Sequence, residues 1–222
     1  MIKPASGRAP AANGGQPTRH PLLELLLAAA DGRFPDDDGG FTVVPALPGG
    51  LEASVAFTAH AVIATDLPEG AVRAWKPDGF GASLAPDFLR WLAGPRGWLD
   101  VVDATLVARG RGDRTLPERT DLADHPRVRH AVALRQRVRT YGDERGLVTL
   151  AEGLAGRCEL SIAATTPGRG LGRALLYDAL GLVQAGEPVF AAVAPGNARS
   201  LRTFLATGFV PIGSEVLIRP AR

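Results

Sequence analysis

The sequence is poor in the residues on which metal, nucleic-acid and membrane functions depend. A single cysteine, Cys158, excludes an internal disulfide and any metal site made of several cysteines. The net charge is only +2, and lysine occurs just at Lys3 and Lys76, so the charge balance gives nucleic-acid binding no support. No apolar run is long enough to span a bilayer. We therefore expect a cytoplasmic protein with no metal, no nucleic-acid partner and no membrane partner.

Composition and periodicity predict three regions along the 222 residues. Residues 1–20 are rich in glycine, proline and alanine, and they are predicted to be a disordered tail. Residues 21–110 are predicted to be an α/β region that completes or walls a larger sheet. A polar, turn-rich stretch follows at about 109–126 and marks the boundary. Residues 111–222 are predicted to form the ligand-binding domain.

Five elements are predicted in the region 21–110. They are helix 21–30, strand 41–45, strand 51–65, helix 86–93 and strand 99–108. The alternation of apolar residues through 51–65 predicts one long strand, joined to strand 41–45 by a Pro-Gly-Gly turn. In that strand His60 shares a face with Ser54 and Ala56, where we interpret it as a structural residue.

In the region 111–222, three successive strands are predicted after a short helix, and strands and helices then alternate to the end of the sequence. The predicted elements are helix 128–133, strands 138–141, 146–151 and 158–164, helix 170–184, strand 188–193, helix 197–206 and strand 209–218. Strands that alternate with helical patterns in this way are typical of crossover connections. The fold class is therefore predicted to be α/β, with a central mixed sheet flanked by helices.

A glycine-rich run follows the predicted strand 158–164 and begins the helix after it. Gly168, Gly170 and Gly172 leave the backbone free to bend and to approach a ligand closely. The start of the helix behind them has unpaired N–H groups and the positive end of the helix dipole, which together suit an anion. The run predicts a pyrophosphate-binding loop, although a tight strand-to-helix turn is the simpler alternative.

Two common nucleotide motifs do not fit this run. A Walker loop requires a Gly-Lys pair, and the run contains no lysine. A dinucleotide fingerprint requires a third glycine three residues after the second, and Arg173 or Leu175 stands there instead. Coenzyme A remains as the source of the pyrophosphate.

Two stretches resemble motifs of the GNAT family of N-acetyltransferases. Residues 160–176, with the glycine run at their centre, are similar to motif A, in which either Pro167 or Arg169 takes the first position. Four later residues resemble motif B, and they are Asn197, Phe204, Gly208 and Phe209. Together the motifs cover about 158–212. The resemblance implies a GNAT fold, with a central mixed sheet splayed between strands 158–164 and 188–193.

The resemblance also implies where the cofactor acetyl-CoA binds. The strand edge near Ile162 would pair with the pantetheine arm, and Asn197 would lie near the cofactor at the start of the second helix. On the residues alone, Asn197 is more simply a helix N-cap. The pyrophosphate would be held by backbone N–H groups of the loop, namely Gly168, Arg169, Gly170, Leu171, Gly172 and Arg173.

The catalytic groups are harder to assign from the sequence. Glu159 is our candidate general base, although strict alternation turns its side chain to the face opposite Ile162 unless a β-bulge intervenes. Glu152 on the preceding strand is a similar candidate. Phe204 stands where many members of the family have the tyrosine that protonates the leaving thiolate, and phenylalanine has no proton to give.

These observations predict an N-acetyltransferase that moves the acetyl group of acetyl-CoA directly to a primary amine. The acceptor is expected to be a small-molecule amine or a peptide, and a homodimer is left open. The region 21–110 would complete the sheet, wall the acceptor pocket or be a degenerate second copy of the fold. The alternative is a non-catalytic module that binds or senses acyl-CoA, and a nucleotide-binding protein with the same loop is a further rival.

Overall fold

The structure is a computed structural model that describes residues 19–166 and 170–222. Nearly all of the predicted tail lies outside the described residues, as do Pro167, Gly168 and Arg169. Within the described ranges, ten strands form one mixed sheet that is flanked by α-helices, which confirms the predicted fold class. No helix in these ranges is both long and apolar enough to cross a membrane.

The described chain contains runs of strands separated by α-helices. The strands are β1 (Phe41–Val44), β2 (Glu52–Phe57), β3 (His60–Ala64), β4 (Trp98–Leu99), β5 (Asp103–Arg109), β6 (Gln136–Asp143), β7 (Gly146–Glu152), β8 (Cys158–Ala164), β9 (Pro188–Val193) and β10 (Val210–Arg219). The helices are α1 (Pro21–Ala30), α2 (Glu69–Ala74), α3 (Pro86–Ala93), α4 (Pro126–Leu134), α5 (Leu171–Leu180) and α6 (Ala198–Leu205).

The sheet joins strands from both halves of the chain. Its order is β1-β3-β2-β10-β5-β9-β8-β7-β6, and the short β4 pairs with β10. Two neighbouring pairs run parallel, β1 with β3 and β8 with β9, while the other pairs along the path are antiparallel. β5 lies between β9 and β10, so the region before residue 111 contributes a strand to the middle of the sheet.

Local sequence explains where two of the helices begin. Pro21 and Pro126 occupy the first turns of α1 and α4, where the missing N–H costs nothing. The residue before each proline is a histidine whose Nδ1 accepts a backbone N–H. His20 accepts the N–H of Leu22 at 3.2 Å, and His125 accepts the N–H of Arg127 at 3.1 Å. A polar side chain followed by proline therefore fixes both helix starts.

Apolar side chains fill both faces of the sheet. On one face α1 packs over a cluster that includes Val107 and Phe190. On the other face α5 and α6 cover Leu106 and Leu160, which alternate with the first set along the same or neighbouring strands. A third cluster lies between α3 and the strands β3 and β10. Both faces of the central strands are thus buried, and a polar side chain there needs a partner.

The prediction of one long strand at 51–65 is wrong. The chain turns back at Thr58 and Ala59, and β2 and β3 pair as an antiparallel hairpin. Ala59 has a φ of 55°, so the turn uses a left-handed residue that is not glycine. The turn also places His60 opposite Phe57 rather than on the face of Ser54 and Ala56.

His60 keeps the structural character expected of it. Its Nδ1 lies 2.8 Å from Asp38 Oδ1, and its Nε2 lies 3.0 Å from Thr42 Oγ1. Both ring nitrogens are therefore engaged in holding the loop before β1 against β3.

Other boundaries agree with the prediction or shift for visible reasons. Helix 86–93 and strands 158–164 and 188–193 are confirmed. Strand 99–108 divides into β4 and β5, and in the link between them the side chain of Asp100 accepts the N–H of Val101. Helix 170–184 ends at Leu180, whose carbonyl accepts the N–H of Arg111. The six-residue α2 was not predicted, since it is too short to show a helical period.

Candidate functional site

The parallel strands β8 and β9 separate at the centre of the sheet. Their ladder contains the single pair Glu159–Phe190, while β8 stays fully paired with β7 and β9 with β5. Beyond Glu159, the edge of β8 that faces β9 has no strand partner among the described residues. Backbone donors and acceptors are therefore free along this edge, as in other sheets that bind an extended ligand.

A cleft of about 260 Å³ occupies the gap between the two strands. Part of its lining belongs to the face covered by α5 and α6, including Ile162, Val193 and Phe204. The rest belongs to the opposite face beneath α4, including Asp103 and Glu159. Because side chains alternate between the faces of a strand, a cleft lined by both sets passes through the sheet.

The N-terminus of α5 stands at the α5–α6 side of this cleft. Gly170 precedes the helix with a φ of 73°, and no side chain caps the helix there. A Cβ on Gly170 would meet nothing within 4 Å, and one on Gly172 would come no closer than 3.8 Å to Ala164 or Thr203. Leu171 is half-buried and Arg173 is exposed. The described part of the predicted loop therefore leaves room at a helix start where backbone N–H groups are free for an anion.

Two further predicted cofactor residues line the cleft. Ile162 is half-buried and lies on the part of β8 whose edge towards β9 has no strand partner among the described residues. Asn197 is the N-cap of α6, where its Oδ1 accepts the N–H of Ser200 at 3.1 Å. This contact gives Asn197 a structural role as a helix cap, and the start of α6 also places the residue in the lining of the cleft.

Glu159, the predicted general base, is buried between two arginines. Its Oε1 lies 2.6 Å from Arg135 Nη2, and its Oε2 accepts the Nε–H of Arg157 at 3.0 Å. The β7–β8 ladder has no bulge, so the side chain faces away from Ile162, as alternation predicts. Burial alone would raise the pKa of Glu159, but the two guanidinium charges outweigh burial and lower it. A carboxylate held in this way is a poor proton acceptor.

Arg157 organises a charged network in the floor of the cleft. Its side chain has no exposed surface, stacks on Phe190 with 5.3 Å to the ring centroid, and donates from both terminal nitrogens to Glu215, at 2.7 and 2.6 Å. Thr105 donates a further hydrogen bond of 2.6 Å to Glu215. Burial alone would lower the pKa of Arg157, but Glu215 and Glu159 raise it. The arginine therefore stays charged and fixes two carboxylates beneath the cleft.

Asp103, which the sequence analysis did not single out, lines the same cleft. It starts β5, is partly buried, and makes no ion pair or side-chain hydrogen bond with any described residue. Burial, then repulsion from Glu215 and Asp100, raises its pKa to about 7. A carboxylate that titrates near neutral pH suits general acid–base chemistry. In the sequence, Asp103 is a single acidic residue within the predicted strand 99–108, which is a weak signal.

Phe204 is a core residue at the wall of the cleft. It is buried, and its ring meets Phe209 edge to face with centroids 4.9 Å apart. Two other residues bring hydroxyl groups to the lining, Ser161, which is hydrogen-bonded to Thr149 at 2.6 Å, and Ser200. The described residues contain no cluster of three or more histidine, cysteine or acidic side chains that would hold a metal ion.

Comparisons with known proteins bear on the fold. No protein-family model matches the chain, and a search of curated proteins found no match. Among solved structures, a protein from Novosphingobium aromaticivorans assigned to the GNAT family of acetyltransferases is similar at 14% identity and a TM-score of 0.40, over 58% of this chain and 69% of that one. A GNAT acetyltransferase from Colwellia psychrerythraea is similar at 11% identity and a TM-score of 0.33, over 55% of this chain and 56% of that one.

A third similar structure is a conserved protein of unknown function from Staphylococcus epidermidis, at 12% identity and a TM-score of 0.39, over 60% of this chain and 66% of that one. Two of the three similar structures are assigned to the family whose motifs the two stretches resemble. Likeness of this extent says nothing about the substrate or the activity of the present chain.

Proposed function

We propose that the protein is an N-acetyltransferase that moves the acetyl group of acetyl-CoA directly to a primary amine. The observation that carries the proposal is the separation of β8 and β9, which opens a cleft through the sheet beside the start of α5. The cofactor would enter from the side of α5 and α6, and the amine would enter from the side of α4. The thioester of acetyl-CoA and the amine of the acceptor could then meet in the gap between β8 and β9.

The described residues fit the cofactor in three places. The N–H groups that begin α5, from Gly170 to Arg173, would hold the pyrophosphate, because the space in front of Gly170 is open and no side chain caps the helix. The free edge of β8 near Ile162 would pair with the pantetheine arm. Asn197 lies beside the cleft at the start of α6. Bound there, acetyl-CoA supplies the thioester that the amine attacks.

Asp103 is the residue of the cleft best suited to take a proton from the incoming ammonium group. With a pKa raised to about 7, it is partly ionised at neutral pH and able to accept that proton. Glu159 would act as a positioning residue that fixes Arg135, because both of its oxygens are engaged. Backbone N–H groups on the free edge of β8 would stabilise negative charge on the acetyl oxygen.

Residues 21–110 would complete the sheet and wall the acceptor side of the cleft. Two observations support this proposal: β5 lies in the middle of the sheet, and Asp100 and Asp103 line the cleft. The acceptor would then be recognised partly by side chains that lie outside the two family-like motifs.

A second candidate is a module that binds acyl-CoA without turnover. Phe204 favours it, since a buried phenyl ring stands where the resemblance implies a proton-donating tyrosine. Tight binding of acetyl-CoA with no transfer to any amine would support this candidate over the enzyme.

Isothermal titration calorimetry of the full chain with coenzyme A, acetyl-CoA, ATP and NAD tests the proposal. We expect both coenzyme A species to bind and the two nucleotides to bind at least about tenfold more weakly, because ATP and NAD have no pantetheine arm to pair with β8. Mass spectrometry of an amine panel incubated with acetyl-CoA should then show an acetylated product. Preference for ATP or NAD would contradict the proposal.

A further inference from the structure

Charges of opposite sign line two sides of the acceptor half of the cleft. The acidic side comes from the β4–β5 link and the start of β5, with Asp100 and Asp103. The basic side comes from α4 and the residue after it, with Arg127, His130 and Arg135. A ligand bound between them would meet a cation-binding group on one side and anion-binding groups on the other.

Asp103 is the acidic group available to a ligand. It has no hydrogen-bond or ion-pair partner among the described residues; Glu215, Asp100 and Glu159 place negative charge near it, and Arg157 and Arg127 place positive charge near it. Burial and the three carboxylates outweigh the arginines and raise its pKa, so an incoming cation would stabilise its charged form, and an ammonium group is the cation that the proposed reaction brings.

Arg127 is the basic group available to a ligand. Its side chain makes no ion pair or hydrogen bond with any residue in the described ranges, and Arg135 places a like charge beside it. The residue as a whole is exposed, yet desolvation of the guanidinium and repulsion from Arg135 lower its pKa. Binding an anion relieves both effects, and guanidinium groups pair with carboxylates through two parallel hydrogen bonds.

The neighbouring Arg135 strengthens the case for an anion. Its side chain is 10% exposed, and its Nη2 is committed to Glu159, while its Nη1 has no hydrogen-bond partner among the described residues. Buried nitrogen donors are normally satisfied in native proteins. Two adjacent guanidinium groups, one free and one half-satisfied, therefore stand opposite a free carboxylate.

We propose that the acceptor is a small amino carboxylate of the free amino-acid class, whose ammonium group meets Asp103 and whose carboxylate meets Arg127. This inference rests on the proposed acetyltransferase function. Val101, Leu134 and Leu217 also line the cleft and would contact an aliphatic side chain.

The test compares each proteinogenic L-amino acid with its amide as acceptor for the full chain and acetyl-CoA. The amide keeps the amine and the side chain but removes the negative charge. We expect at least one free amino acid to be acetylated with a kcat/KM about tenfold or more above that of its amide, since one charge-assisted pair is lost. Products are identified by mass spectrometry, and rates follow from coenzyme A release.

A substitution assigns this preference to a residue. Arg127→Gln should raise KM for the preferred amino acid about tenfold with a smaller change in kcat, and it should remove the preference over the amide. Arg129→Gln is the matched control, because Arg129 lies on the same helix, is exposed and does not line the cleft. It should leave both kinetic constants unchanged.

The outcomes separate this inference from the function on which it rests. Acetylation of amides or simple amines as efficiently as free amino acids overturns the inference and leaves the acetyltransferase in place. An unchanged acid-to-amide ratio in Arg127→Gln also overturns it. No binding of acetyl-CoA in the calorimeter, or no transfer to any acceptor, contradicts both proposals.

Discussion

At the scale of single residues, the chemistry of the cleft depends on which carboxylates already have partners. Glu159 and Glu215 are each held by Arg157, whereas Asp103 has no such partner among the described residues. The three side chains are close enough for their charges to interact; the pKa of Asp103 is raised to about 7, whereas the pKa of Glu159 is lowered. The carboxylate chosen from the sequence, Glu159, is thus buried and ion-paired, and the carboxylate without such a partner is its neighbour Asp103.

Substitution of Asp103 tests its role as the general base. The pH profile of kcat/KM should rise with an apparent pKa of about 7, the value to which burial and Glu215 raise the pKa of this carboxyl. Asp103→Asn should lose that rising limb and about 10²- to 10⁴-fold in rate, the usual contribution of a positioned base. Initial rates between about pH 5 and pH 9 measure both effects.

Asp100→Asn is the control for this experiment. It removes one of the negative charges that raise the pKa of Asp103, so the rising limb should move to lower pH with little loss at the plateau. A limb that stays in Asp103→Asn would assign the base to another group.

At the scale of elements, substitutions at the start of α5 distinguish effects on stability from effects on cofactor binding. Gly172 lies in the first turn, and a Cβ there would have ordinary contacts with Ala164, Thr203 and Ile162. Gly172→Ala should therefore keep coenzyme A affinity and add up to about 1 kcal/mol of stability from better helix propensity. Gly172→Asp should also stay folded, because a negative charge suits a helix N-terminus.

Gly172→Asp should nevertheless lower coenzyme A affinity at least about tenfold, because a carboxylate would compete with the pyrophosphate for the same N–H groups. Calorimetry with coenzyme A, together with thermal melts of both variants, measures the difference. Equal affinity in the alanine and aspartate variants would argue against an anion site at this helix.

Elements bounded by glycine and proline were the ones that the sequence predicted best. Strands β8 and β9 and helix α3 follow from apolar runs with clear ends. The β2–β3 hairpin was missed because apolar alternation continues through Thr58 and Ala59, where no glycine, asparagine or proline marks a turn. A left-handed alanine is tolerated there by the pairing on both sides, and local pattern cannot show that.

At the scale of the whole molecule, the buried network around Arg157 links β8 to β10 across the sheet. Arg157→Met would leave Glu159 and Glu215 buried without this cation. We expect a loss of about 3–5 kcal/mol in the free energy of unfolding, the usual cost of breaking a buried ion pair on one side. Urea titration at neutral pH measures it.

Arg139→Met is the control on the surface. Arg139 pairs with Glu118, and both side chains are about half exposed, at 61% and 47%. Its loss should cost no more than about 1 kcal/mol. Losses of similar size in the two variants would contradict a structural role for the network.

The arrangement of the acceptor half could not be predicted from sequence, because strand order is not written in local patterns. Asp103 belongs to β5 and Arg127 to α4, and both line one cleft because β5 pairs with β9 in the sheet while α4 packs against β6 and β7. The strand β8 and the start of α5, on which the proposed cofactor half is built, could be predicted because they follow one another in the chain. Elements that are consecutive in the chain can therefore be predicted together, whereas a group of side chains brought together by the sheet order cannot.

The sheet order also affects how the protein reaches its native state. β10 is the tenth strand in chain order, yet it lies between β2 and β5, which leave the ribosome more than a hundred residues earlier. The early strands must stay unaggregated until β10 emerges, and such distant pairings are slow to form. We therefore expect nascent chains stalled before residue 210 to be insoluble, and the full chain to need chaperones during its synthesis.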